Sequence, residues 1–110
     1  MSTSADAFHR QLEALSAEYR GSLQGRLIEI DSLWRELVGG AVKPVRFADL
    51  QRELHTIAGS ARTFGIAGVS EAAAAAELFL APFSKRRKLP DAAQQAEFAR
   101  LLDDLRRAAR

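Results

Sequence analysis

The sequence predicts an all-α protein, an antiparallel four-helix bundle, on three observations. Alanine is abundant while proline and β-branched residues are few, a composition that favours helix over strand. Apolar residues return every three or four positions, the period of a helix with one buried face. The stretches between these runs are short, so successive helices should lie antiparallel. At 110 residues a chain of this kind builds one core, and residues 1–110 read as a single domain.

The first run opens with N-cap candidates at Ser4 and Asp6. Phe8, Leu12, Leu15, Tyr19, Leu23, Leu27, Ile30, Trp34 and Leu37 then recur at helical spacing, with Arg10, Glu13, Arg20, Arg26, Glu29 and Arg35 on the other face. Gly21 and Gly25 fall inside this run. A break near residues 20–22 would divide it and add a short extra helix at the N-terminus. Trp34 reads as a core anchor, and Gly39 with Gly40 stops the helix.

Pro44 suits the first turn of the second helix, residues 45–64, which Gly65 ends. The third helix reads as residues 69–79, with Ser70 as a cap candidate, Val69, Ala72, Ala76 and Phe79 inward, and Pro82 as its closure. Five consecutive alanines from Ala72 to Ala76 permit close helix contact. After Pro90, Asp91 and Gln94 form a capping-box pattern that opens the last helix. Ala96, Phe98, Leu101, Leu102 and Leu105 supply its apolar face, and Arg106, Arg107 and Arg110 complement its dipole.

The second helix carries the chemistry. At ~100° per residue, Phe47, Leu50, Leu54, Ile57, Ala61 and Phe64 cluster in an arc roughly 130° from His55. The histidine therefore points away from the core that its own helix builds. Ala48, Gln51, Arg52, Gly59 and Arg62 lie within ~60° of it on the same wheel. Glycine inside a helix costs roughly 1 kcal/mol relative to alanine, so Gly59 calls for a reason. One turn beyond a histidine, it bares the imidazole and lets another backbone approach. Arg62 adds a permanent cation with five donors. An exposed imidazole, a cleared approach and a nearby cation suit a phosphoryl group passing through the ring. His9 lies at the start of the first helix and reads as surface.

The run His55-Thr56-Ile57-Ala58-Gly59-Ser60-Ala61-Arg62-Thr63-Phe64-Gly65 resembles the signature of histidine-containing phosphotransfer (HPt) domains. That signature reads roughly His-x-(Leu/Ile)-Lys-Gly-Ser/Ala-Ala/Ser-x-x-(Phe/Leu)-Gly, and Ala58 stands where it has lysine. The resemblance implies a four-helix bundle with His55 exposed midway along a helix. It implies that His55 takes a phosphoryl group from one receiver-domain aspartate and gives it to another, through Nε2 by the family's pattern. The expected partners are response-regulator receiver domains and a histidine kinase. Their docking surface would be the stripe of Ala48, Gln51, Arg52, His55, Ala58, Gly59 and Arg62, with Arg62 or Arg52 replacing the missing lysine at the phosphate. An unperturbed imidazole has a pKa of ~6.5 and is a largely uncharged nucleophile at neutrality. The protein should be a phosphocarrier and not an independent enzyme. It should need no cofactor of its own, since no acidic cluster resembles a metal cradle, and Mg²⁺ is expected on the receiver.

Rival readings are a degenerate bundle that docks receivers or kinases without taking phosphate, for which Ala58 speaks, and a basic helical adaptor that uses residues 85–88 on nucleic acid. The motif also occurs at the start of chemotaxis-type kinases, where the donor is an ATP-binding domain.

The rest of the composition excludes more than it proposes. There is no cysteine, hence no disulfide or thiolate metal site. A net charge of +2, with both signs interspersed, gives no basis for nucleic-acid binding. Lys85, Arg86, Arg87 and Lys88 read as a solvated loop. No apolar run is long enough to span a bilayer, and the start of the chain lacks a basic-then-apolar leader. The expectation is a cytoplasmic monomer that does not associate with membranes.

Overall fold

The computed structural model describes residues 3–110; the part of the leader reading that rests on residues 1 and 2 lies outside them. Four α-helices follow in order: α1, Ser4–Val38; α2, Phe47–Thr63; α3, Ala67–Arg86; and α4, Ala92–Ala108. A 3₁₀ turn, Pro44–Arg46, leads into α2. Each helix packs on its neighbours in sequence and α4 returns to α1, which closes the four-helix bundle; the α2–α3 pairing is the most extensive.

The N-cap of α1 is Thr3, not Ser4 or Asp6. The Thr3 hydroxyl accepts from the Asp6 N–H, and the Asp6 carboxylate accepts from the Thr3 N–H, so two orphan donors are satisfied reciprocally. From there α1 runs unbroken for 35 residues. Gly21 and Gly25 sit on its exposed side without interrupting it, and no separate N-terminal helix forms.

At about 1.5 Å per residue α1 is some 50 Å long, twice the length of α2, and the molecule measures 60 × 22 × 20 Å. The excess overhangs the bundle. Phe8, Leu12 and Leu15 are 62%, 42% and 48% exposed, and Tyr19 is the first buried residue of the series. There the bundle begins: the Tyr19 ring stacks on Phe64 with centroids 4.8 Å apart, and its hydroxyl donates to the Ile57 carbonyl. Burial raises the Tyr19 phenol above its ordinary pKa.

Beyond Tyr19 the core is most of the predicted set, with Ala73 and Leu80 added to it and Ala96 left exposed. Leu23, Phe47, Leu50, Leu54, Ile57, Ala61, Val69, Ala73, Ala76, Leu80, Phe98 and Leu105 are fully buried. Trp34 is buried against Phe98, ring centroids 4.4 Å apart. The helix stops fall as expected. Gly40 and Gly65 have φ of +75° and +73°, the left-handed region open to glycine at little cost. The Asp91–Gln94 capping box opens α4.

The third helix departs from expectation. It spans Ala67–Arg86 and passes through Pro82. Proline removes one N–H, the one owed to the Leu78 carbonyl. Position 82 is exposed, so water can serve that carbonyl and the helix continues. Ser70 does not cap α3. It is buried, and its hydroxyl donates to the Ala58 carbonyl of α2 at 2.7 Å. The inward positions are Val69, Ser70, Ala73, Ala76 and Leu80, while Ala72 and Phe79 flank them, partly buried.

Candidate functional site

Midway along α2, the buried arc of Phe47, Leu50, Leu54, Ile57 and Ala61 faces the bundle and turns His55 outward, its side chain 76% exposed. The imidazole does not hang free. Its Nδ1 lies 2.9 Å from Oε1 of Glu77 on α3. A carboxylate only accepts, so Nδ1 carries the proton and donates it. In the uncharged ring this leaves the lone pair on Nε2, the nitrogen directed away from Glu77. The Glu77 side chain is mostly buried, 24% exposed, which holds the carboxylate in place behind the ring.

Around this pair lies a shallow depression of about 430 Å³, lined by Gln51, His55, Ala74, Glu77, Leu78 and Ala81. Its floor and far wall are α3, and Leu78 stands 76% exposed on its rim. The alanine run does here what its size allows. Ala73 and Ala76 are fully buried, so α3 approaches α2 closely enough for Glu77 to reach the imidazole.

The structure separates the other predicted residues. Ala48 and Gln51 lie on the His55 face of α2, Ala48 exposed and Gln51 half-buried. Gly59 is exposed, and a Cβ there would meet nothing within 4 Å, so the surface beyond the imidazole is open. Arg62 is exposed and lines the adjoining depression with Gly65, Ala67, Ser70, Glu71 and Ala74. That depression meets the His55 one at Ala74. No ion pair among the described residues involves Arg62.

Arg52 turns elsewhere. It pairs with Asp49 at 3.6 Å and lines a charged depression between α1 and α2 with Glu29, Glu36, Arg46 and Glu53. Ala58 does not belong to the exposed stripe at all. It is 6% exposed, covered on the side where α3 packs and Ser70 binds its carbonyl. The angular distance from His55 on a wheel misleads at this position, because α2 is covered by α1 on one flank and α3 on the other.

Glu77 is the site residue that sequence reasoning missed. It is 22 positions from His55 on another helix; the one available signal was an acid at the end of the alanine run, which Glu71 also borders on its other side. His9 is remote from the site, its Nδ1 within 2.8 Å of the Ala5 carbonyl. No group of three or more His, Cys, Asp or Glu among the described residues could hold a metal ion. No helix of the described residues is long and apolar enough to cross a membrane.

The family model described as Hpt domain matches residues 14–109, from the last turn of the α1 overhang to the end of α4. Neither the curated proteins nor the solved structures provide a match. Hpt domains are helical bundles of two-component signalling that carry phosphoryl groups and interact with receiver domains and kinases. With nearly the whole chain matched and a four-helix bundle around an outward histidine, the protein belongs to the Hpt domain family.

Proposed function

We propose that the chain relays a phosphoryl group through His55 between receiver-domain aspartates. The observation that carries this reading is the exposed imidazole whose Nδ1–H is held by Glu77. In the accepting step Nε2 attacks the phosphorus of an aspartyl phosphate. The N–P bond forms as the acyl O–P bond breaks, and the aspartate leaves as a carboxylate. The proton stays on Nδ1, so the phosphorylated ring becomes cationic as it forms, and the Glu77 carboxylate 2.9 Å away offsets that charge. Return to a second aspartate is the same step reversed.

The receiver would supply Mg²⁺, and with it most of the charge neutralisation at the phosphoryl oxygens. The carrier contributes an oriented nucleophile and open space beyond it at Gly59. Arg62 is the α2 cation best placed to meet the bound phosphate. It lies about two turns from His55, some 10 Å in rise, on the groove that adjoins the imidazole, and no carboxylate of the described residues pairs with it. Its guanidinium fork suits phosphate oxygens.

The test is transfer of label from a phosphorylated receiver, with the product challenged by acid and alkali. Acid-labile, alkali-stable label on the wild-type chain and on His9→Gln, and none on His55→Gln, is the expected result. Label retained in His55→Gln would end the proposal. A wild-type chain that binds receivers yet never takes label would identify a docking module instead.

A further inference from the structure

The depression around His55 is not symmetric along α3. Towards the N-terminal end of that helix it runs into mixed charge, with Arg62 and Glu71 lining the neighbouring hollow. Towards the C-terminal end it shares Leu78 and Ala81 with a second shallow depression of about 600 Å³, whose other lining residues are Pro82, Lys85 and Arg86. Leu78, Pro82 and Lys85 follow at intervals of four and three, so they stand on one stripe of the helix. From Leu78 to Lys85 is about 10 Å of rise, well within the footprint of a small domain seated on His55.

This end of the strip is uniformly positive. Lys85, Arg86, Arg87 and Lys88 are all exposed. None takes part in an ion pair among the described residues. They contrast with the arginines of α4, where Arg100, Arg106 and Arg107 are each paired with carboxylates. The near end of the strip is apolar, with Leu78 76% exposed. Because Pro82 has no N–H, the Leu78 carbonyl also lacks its helical donor and can accept from a partner. A surface that is apolar next to the nucleophile and cationic at its far edge has the anatomy of a protein interface with a charged rim. Nucleic acid would find phosphate contacts at the rim and nothing for the exposed leucine.

We infer that Leu78, Ala81, Pro82, Lys85 and Arg86 form a partner-selecting strip for a receiver domain that carries carboxylates at the edge of its docking face. The inference rests on the phosphocarrier reading of His55 and adds which receivers the carrier accepts. Leu78 supplies desolvated contact near the reacting nitrogen, and the Lys85 and Arg86 charges reward an acidic rim and penalise a basic one.

The experiment measures phosphoryl exchange between the full chain and a panel of purified receivers graded from acidic to basic around their phosphorylated aspartate. Each rate is normalised to direct labelling of the same chain by phosphoramidate, a small donor that needs no docking surface. Failure of phosphoramidate to label His55 in the wild-type chain would strike the phosphocarrier reading itself. The selectivity inference is judged separately, on the normalised rates. The acidic receivers should be the best partners at low salt. K85E/R86E should slow them about tenfold and move the preference towards basic receivers. Leu78→Lys should slow every receiver in the panel. Helicity and unfolding midpoint identify any variant that fails to fold, and Lys85→Gln with Arg86→Gln, a milder pair, should give the same trend at smaller size. An unchanged receiver ranking in K85E/R86E would overturn the inference. So would unchanged rates in Leu78→Lys. Short duplex DNA and phosphatidylglycerol vesicles are assayed alongside. Binding to either that vanishes in K85E/R86E, with receiver ranking untouched, would assign the strip to that ligand and overturn the receiver reading.

Discussion

At the scale of single residues, the candidate site is a pair and not a lone histidine. A surface imidazole rotates about two side-chain bonds and interconverts its tautomers, so Nε2 would present a lone pair to a partner only part of the time. The Glu77 carboxylate, accepting from Nδ1 at 2.9 Å, fixes ring and tautomer together. Glu77→Ala should therefore slow phosphoryl uptake by about tenfold, the lower end of what losing an orienting partner costs ligating histidines. Glu77→Gln, whose amide oxygen still accepts, should keep most of the orientation but lose the charge that offsets a cationic phosphohistidine. Single-turnover labelling with phosphohistidine lifetimes checks both. Equal rates for wild type and Glu77→Ala would show that the hydrogen bond does not orient the nucleophile. The histidine was legible in the sequence because periodicity and motif act within one helix. Glu77 was not, because only the packing of α3 on α2 brings the two together.

At the scale of elements, local patterns missed the caps at Thr3 and Arg87 but told where helices begin and end at several others. Gly39 with Gly40, Gly65 and the Asp91–Gln94 box are such places. Pro82 misled because a proline is a stop signal only where the carbonyl it deprives has no other donor. The helix that continues past it ends at Arg87, which caps α3 in the left-handed region with φ of 53°. Only a non-glycine residue has a Cβ to strain there, at a cost of about 1 kcal/mol. Arg87→Gly should relieve that strain, less the extra freedom glycine brings to the unfolded chain. The net gain expected is about 0.5 kcal/mol, read as a rise of roughly 2–3 °C in the thermal midpoint. A lower midpoint would mean that the arginine side chain stabilises the cap by contacts that outweigh its backbone strain. Ala58 and Ser70 teach the complementary lesson. A wheel gives angles but not neighbours, and the width of the buried arc on α2 was set by a third helix that no pattern within α2 could reveal.

At the scale of the whole molecule, the chain is a bundle with a long helix projecting from one end. The apolar series of α1 is continuous in sequence from Phe8 to Leu37, yet it is buried only from Tyr19 onward. Periodicity records that a face is apolar; it does not record how far the other three helices extend beside it. Since α2, α3 and α4 are 17, 20 and 17 residues long, they cannot cover a 35-residue partner. Stability should follow the covered part. Before Tyr19 no described side chain is buried and Ser16 alone is half-buried, so removing the residues that precede Ala14 takes away exposed helix and its cap. The core from Tyr19 to Leu105, the stacking of Tyr19 on Phe64 and the His55–Glu77 pair remain. The shortened chain should unfold within about 0.5 kcal/mol of the full one, as changes at exposed positions usually do. Its denaturant slope should be nearly the same, since that slope scales with the surface exposed on unfolding. Phosphoramidate labelling of His55 should continue. Equilibrium urea unfolding of both chains at several protein concentrations checks this. A loss of several kcal/mol would show that Phe8, Leu12 and Leu15 are covered in solution, and a loss that grows with protein concentration would show that a second copy covers them.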